Sequence, residues 1–196
     1  LFQRIAAAHK FPWAMTLGAI QDKNLITQMA AKIAEDSKRM GVNWDFAPVV
    51  DVNTNPDNPI IGNRSFGSEV QNVVNSALAY SNGLQDNRIL AAIKHFPGHG
   101  DTSTDSHFDL PVVAHNLDRL NAVELAPFKA LMDKGIGGVL VAHLYVPALE
   151  KENGIPASIS KNIITGLLKE KFGYKGLIIT DALNMGAVAK RYKPGE

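Results

Sequence analysis

Short apolar segments alternate with longer amphipathic segments along the 196-residue chain. In the amphipathic segments, apolar residues recur every three or four positions between charged ones, which is typical of helices that pack by one face. The apolar segments show little alternation, which is typical of strands covered on both faces. The pattern predicts helices over 1–9, 22–40, 68–86, 117–134 and 160–172, and strands over 13–17, 42–52, 88–93, 138–142 and 176–180.

Local signals support these boundaries. Gly41 and Gly135 follow the amphipathic runs directly, where glycine commonly ends a helix. Ser68 and Ser160 precede such runs, where a hydroxyl can accept a bond from a free backbone N–H. Three aromatic side chains are expected to lie in the core: Trp13, Trp44 and Phe46.

The order of these segments predicts the fold class. Strands and helices alternate, with successive strands roughly 40 to 45 residues apart, which indicates parallel β/α units. Four strands are followed by polar residues: Asp51, His95, His143 and Asp181. Convergence of such residues on one face favours a TIM-like (β/α)8 barrel over an open sheet. Because a full barrel needs eight strands and about 250 residues, we expect residues 1–196 to form a single incomplete barrel domain.

Composition narrows the range of partners. The net charge is +1, basic residues are scattered, and no apolar run reaches the roughly 18 to 20 residues that span a membrane. We therefore expect a small-molecule partner, with no nucleic acid and no membrane span. Cysteine is absent, which excludes disulfides and thiolate chemistry within this chain. Localisation and oligomeric state stay open.

The polar segment 94–109 follows a predicted buried strand and is rich in histidine and aspartate. Asp105 and His107 are one residue apart, so the carboxylate can orient the imidazole for general acid/base work. Two alternatives stay open: the pair could merely brace the loop, or the segment could bind a metal. The metal ligands would then come from His95, His99, Asp101, Asp105 and His107.

Three other charged residues are candidates for the site. Asp181 follows the last apolar strand, where it is either a reactive carboxylate or the N-cap of the next helix. Arg64 lies in a glycine-bounded loop and Lys94 follows a strand, and both could donate hydrogen bonds to ligand hydroxyls.

Three segments together, GNRSFG, KHFPGHGDTSTDSH and GLIITDALNMGAV, resemble glycoside hydrolase family 3 in its β-N-acetylglucosaminidase branch. The resemblance implies a (β/α)8 barrel and a retaining hydrolase that removes terminal β-linked N-acetylglucosamine from muropeptides or chitin oligosaccharides. It implies Asp181 as nucleophile, His107 with Asp105 as acid/base pair, and Arg64, Lys94 and His95 as sugar-binding residues. It implies neither a metal nor another cofactor.

The same resemblance places the first barrel strand before this chain and the C-terminal strands after it. The expected domain is therefore truncated at both ends, and the full-length protein's function is implied more directly than any activity of the fragment. The alternatives are a β-glucosidase of the same family, a sugar-binding fragment without turnover and a metal-dependent barrel hydrolase.

Overall fold

The computed structural model describes residues 8–103 and 109–193. Within these ranges the chain forms an α/β fold around a four-stranded parallel sheet in the order β1-β2-β3-β4. The strands are β1 Trp44–Asp45, β2 Leu90–Phe96, β3 Gly138–Val141 and β4 Leu177–Thr180. The α-helices are α1 Ala14–Gly18, α2 Asn24–Arg39, α3 Val70–Gln85, α4 Leu117–Arg119, α5 Ala126–Met132 and α6 Gly186–Ala189.

Shorter or wider helical turns complete the described segments. Between α4 and α5 the chain forms a π-helical turn over Leu120–Glu124, and a longer π-helix covers Asn162–Lys171. Two 3-10 turns cover Gly62–Arg64 and Ala157–Ile159. None of the helices in the described ranges has the length and apolar character needed to cross a membrane.

The sheet core forms where the sequence is most apolar. Every residue of β3 is buried, and β3 pairs with β2 on one side and β4 on the other. The strand β4 is only partly covered, and Leu177 at its start is 52% exposed. In the described part of the chain, β4 is therefore an apolar strand that lies at the edge of the sheet and is only partly buried.

Helices α2 and α3 pack against each other. At Gly83 an added Cβ would overlap the backbone oxygen of Thr27, so the absence of a side chain allows the two helices to approach closely. Both helices bury their periodic apolar faces, including Ile26 and Val73, which have no exposed surface.

Several predicted boundaries are wrong. Residues 13–17 were expected to be a strand, but α1 begins at Ala14, because Ala14, Met15 and Leu17 favour helix and follow Pro12. The predicted strand 42–52 is reduced to β1, since Pro48 lacks the N–H that would continue the ladder. Ser68 makes no cap: the residue at the N-terminal boundary of α3 is Glu69, without a side-chain capping bond.

Other local predictions are confirmed. Gly41 and Gly135 both adopt positive φ after their helices, and Ser160 accepts a hydrogen bond from Ile163 N–H at 3.1 Å. The aromatic prediction is wrong for Trp13 and Phe46, which are 48% and 45% exposed.

Candidate functional site

The site begins where the chain after β1 runs beside the end of β2. Val50 N–H donates to the Lys94 carbonyl at 2.8 Å, and Val49 forms a parallel bridge with Lys94. This pairing holds Asp51 next to His95. The strand β2 extends to Phe96, so Lys94 and His95 lie inside the strand and not after it as predicted.

Asp51 is the buried centre of this cluster and has no exposed surface. Its carboxylate accepts hydrogen bonds from His95 Nδ1 at 2.7 Å, from His99 N–H at 2.7 Å and from His95 N–H at 3.2 Å. Burial raises the pKa of Asp51, but the two histidines and their hydrogen bonds outweigh burial and hold that pKa below its ordinary value. The carboxylate is therefore ionised at neutral pH.

The hydrogen bonds of His95 define its tautomer. Arg64 Nη2 lies 3.2 Å from His95 Nε2, and a guanidinium can only donate. Nε2 therefore accepts, and Nδ1 carries the proton given to Asp51. Burial lowers the pKa of His95 despite the opposing effect of Asp51, which agrees with a neutral ring. Arg64 is itself fixed by donation to the Ile60 carbonyl at 3.0 Å.

His99 lies beside His95, with ring centroids 5.9 Å apart. Its Nδ1 is 2.5 Å from Thr102 Oγ1, while Nε2 is buried and has no hydrogen-bond partner among the described residues. Burial lowers the pKa of His99 to about 4, so the ring is neutral at physiological pH. The two histidines are thus held by Asp51 and Thr102.

Electrostatics connect Lys94 to the carboxyl end of the sheet. Burial lowers the pKa of Lys94, and the neighbouring Arg64 lowers it further. The carboxylates of Asp45, Asp181 and Asp51 act in the opposite direction. Lys94 therefore lies within the field of Asp181, which directly follows β4.

The backbone around Asp181 is held by β3 and its neighbours. Asp181 N–H donates to the Val141 carbonyl at 2.9 Å. His143 is fully buried, and its Nε2 lies 2.9 Å from the Ala182 carbonyl, which can only accept. Its Nδ1 lies 2.6 Å from Ser158 Oγ. The imidazole thus connects two loops and fixes the residue next to Asp181.

A cavity of about 270 Å³ lies beside β1 and reaches two of the predicted sugar-binding residues, Arg64 and Lys94. Asp45 and Tyr80 also line it, and burial raises the pKa of both groups. Asp181 is not among the lining residues, so this cavity covers only the β1 side of the candidate site.

The structure brings Arg64, Lys94 and His95 together at the end of β2. Asp181 directly follows β4, two strands away in the sheet. Asp105 and His107, the predicted acid/base pair, lie outside the described residues. Of the residues in the metal alternative, His95 is hydrogen-bonded to Asp51 and Arg64, and His99 is hydrogen-bonded to Thr102.

Asp51 was predicted only as a polar residue at a strand end, although it organises the cluster. The signal was present in the sequence, since an aspartate directly after VV in a buried segment requires partners. Its partners, His95 and His99, are more than forty residues away along the chain, which local patterns do not reveal.

The whole chain, residues 1–196, matches the family model described as "Glycosyl hydrolase family 3 N terminal domain". Beta-hexosaminidase A of Pseudoalteromonas piscicida is 37% identical over 200 residues, which cover 95% of this chain and 33% of that protein. A solved glycoside hydrolase family 3 β-N-acetylglucosaminidase from Paenibacillus sp. FPU-7 superposes with a TM-score of 0.92 at 43% identity, covering 94% of this chain and 35% of that one.

A solved β-glucoside phosphorylase, BglX, superposes with a TM-score of 0.90 at 29% identity, covering 95% of this chain and 35% of that one. The chain thus spans about one third of the length of these relatives. The match of the family model over every residue shows that the chain belongs to glycosyl hydrolase family 3.

Proposed function

We propose that the full-length protein is a retaining glycoside hydrolase that removes terminal β-linked N-acetylglucosamine from muropeptides or chitin oligosaccharides. The observation that carries this proposal is the position of Asp181, which directly follows β4 and pairs with the end of β3, while Asp51, His95 and Arg64 cluster at the end of β2. Relatives named β-hexosaminidase and β-N-acetylglucosaminidase support the same chemistry.

In the proposed reaction, the Asp181 carboxylate attacks the anomeric carbon and forms a covalent glycosyl ester. His107 protonates the departing oxygen, and Asp105 holds its imidazole in the right tautomer and favours the protonated form. Water then hydrolyses the ester, with His107 as the base. Two displacements leave the product with retained configuration.

The cationic groups suit the binding of a neutral sugar. Arg64 keeps donor N–H groups besides those used for Ile60 and His95, and a guanidinium offers five in fixed directions. The Lys94 ammonium offers three donors on a flexible stem. We assign Arg64, Lys94 and His95 to the orientation of sugar hydroxyls before Asp181 reacts.

We also propose that residues 1–196 are part of one (β/α)8 barrel domain whose remaining strands lie outside this chain. All four described strands are parallel, and β1 and β4 each have one unpaired edge. Added strands along these edges would cover the exposed face of Leu177 and complete the cavity beside Asp45.

The test is release of 4-nitrophenol from 4-nitrophenyl β-N-acetylglucosaminide by the full-length protein. Asp181→Ala should leave almost no turnover, whereas Asp86→Ala, which removes an exposed carboxylate, should keep the wild-type rate. Wild-type turnover by Asp181→Ala would reject the nucleophile assignment. Binding of the sugar by the native protein without any turnover would support a sugar-binding protein, and a preference for the glucoside would support a β-glucosidase.

A second candidate function is phosphorolysis, in which phosphate replaces water as the acceptor. The similarity to a β-glucoside phosphorylase favours it, and an imidazole acid/base would not repel an incoming phosphate as a carboxylate would. Formation of N-acetylglucosamine 1-phosphate at a rate that rises with phosphate concentration would identify this reaction. A rate and product independent of phosphate would identify hydrolysis.

A further inference from the structure

A second polar cluster lies at the two ends of the loop that follows β2. Asp101 precedes the undescribed residues 104–108 and His115 follows them, and His115 Nε2 lies 2.5 Å from Asp101 Oδ2. Glu124, in the π-helical turn after α4, completes the group. One nitrogen or oxygen from each of the three side chains lies within 4.8 Å of the other two.

Glu124 shows that the cluster is incomplete. Its side chain is 4% exposed, and Oε1 accepts from Arg119 Nη2 at 3.2 Å and from Arg119 Nε at 3.3 Å. Oε2 is buried and has no hydrogen-bond partner among the described residues. A buried carboxylate oxygen without a donor is unfavourable by about 1 to 3 kcal/mol or more, so the site favours an additional positive group.

The charges lead to the same conclusion. Asp101 and Glu124 carry two negative charges, and Arg119 supplies one positive charge at 3.2 Å from Glu124 and 3.9 Å from Asp101. Among Asp101, Glu124 and Arg119, one negative charge is therefore left uncompensated. Arg119 donates its two hydrogen bonds to Oε1, and Oε2 accepts none from the described residues, so a cation can bind at Oε2 while this ion pair remains.

We propose that Asp101, His115 and Glu124 bind one divalent transition-metal ion of the zinc class. One imidazole nitrogen and two carboxylate oxygens are zinc ligands, whereas magnesium and calcium strongly prefer oxygen alone. Zinc binds such atoms at about 2.0 to 2.2 Å, which brings ligand atoms to about 3.4 Å from one another in a tetrahedron. A separation of up to 4.8 Å needs only about 1 Å of side-chain movement.

The ion replaces the hydrogen bond between His115 and Asp101 as the connection between the loop ends. His115 then offers the lone pair of Nε2 and carries its proton on Nδ1. A metal that joins Asp101 and His115 holds these two residues together more firmly than one hydrogen bond does. Any effect of the ion on turnover through Asp105 and His107 rests on the proposed function, whereas metal binding itself does not.

The experiment titrates chelator-treated, full-length protein with zinc chloride by isothermal titration calorimetry. Glu124→Gln, His115→Ala and Asp101→Asn should each weaken zinc binding at least about 100-fold. The control is His9→Ala, which breaks another histidine–aspartate pair, that of His9 and Asp36 at 2.7 Å, away from the cluster. This variant should bind one zinc ion as the native protein does.

Cobalt substitution gives a second readout that does not depend on turnover. One equivalent of Co²⁺ should give the native protein the intense visible absorption of a four-coordinate site, and the same three substitutions should abolish it. Circular dichroism identifies any variant that fails to fold, and Asp101→Asn, at a partly exposed residue, then carries the test. The proposal is overturned if the native protein binds no zinc at micromolar concentrations, or if folded variants bind it as tightly as the native protein.

Discussion

Replacement of Asp51 by asparagine tests the buried cluster that Asp51 forms with His95 and His99. The substitution keeps the shape of the side chain and removes its charge. In the native protein the carboxylate accepts bonds from His95 Nδ1, His95 N–H and His99 N–H. Asparagine has a single acceptor oxygen, and its NH2 group must face at least one of these donors. At least one buried N–H group is therefore left without an acceptor.

The magnitude follows from these contacts. A hydrogen bond to a charged group contributes about 1.5 to 3 kcal/mol, and a buried donor left unpaired costs about 1 to 3 kcal/mol. With at least one bond weakened and one lost, we expect the free energy of unfolding to fall by about 3 to 5 kcal/mol. At about 2 to 4 °C per kcal/mol for a domain of this size, Tm should fall by about 6 to 20 °C.

Differential scanning calorimetry of the full-length protein at pH 7 measures this change. Asp57→Asn is the matched control, since Asp57 is exposed and the chemical change is the same. Its Tm should stay within about 2 °C of the native value, because surface substitutions rarely exceed about 0.5 kcal/mol. If Asp51→Asn unfolds at the same temperature as Asp57→Asn, the buried carboxylate does not organise the cluster as we describe.

Three further predictions follow from the described contacts. Because the pKa of His99 is lowered to about 4, the unfolded chain binds a proton between pH 6.5 and 4 that the native ring does not bind. The native protein should therefore lose up to about 2 kcal/mol of stability between pH 7.5 and 5. Urea titrations should show a smaller loss for His99→Asn. An equal loss in both would exclude His99 as the cause. Gly100→Ala places a Cβ onto the Val52 carbonyl and should lower the free energy of unfolding by more than about 2 kcal/mol. The control Gly166→Ala, where the added Cβ lies in open space, should leave that free energy unchanged or raise it. Equal melting temperatures of the two variants would contradict this packing. His143→Ala should lower kcat at least about 10-fold with little change in KM, because Asp181 loses its neighbouring anchor; unchanged kcat would show that this anchor is dispensable.

The fold was largely predictable where one physical signal dominated. The helix α2 follows a regular apolar period and ends near Gly41, and β3 is a continuous apolar run that is buried completely. The segment 13–17 was not predictable by the same means, because short apolar runs fit a strand or a helix equally well. The sequence of β4 is typical of a strand covered on both faces, but β4 is partly exposed in the described part of the chain. Whether other segments cover a strand is not specified by the residues of that strand.

The site was predictable in its residue types but not in its connections. Arg64, Lys94 and His95 were predicted from their motifs as sugar-binding residues. The structure brings them together, and their role in binding stays a prediction. The contacts of Asp51 and Glu124 were missed, because each depends on partners brought together only by the folded chain. Asp51 meets a histidine forty-four residues away, and Glu124 contacts Arg119 across a π-helical turn that no local pattern indicated.

In the proposed reaction, Asp181 forms a covalent bond with the sugar. The most direct test incubates the full-length protein with a 5-fluoro derivative of β-N-acetylglucosaminyl fluoride, which slows the hydrolysis of a glycosyl-enzyme, and then maps the modified peptide by mass spectrometry. We expect one sugar adduct per protein, attached to Asp181 and absent from Asp181→Ala. An adduct on another residue would contradict this role of Asp181. Turnover that gives a product of inverted configuration, without any adduct, would contradict it as well.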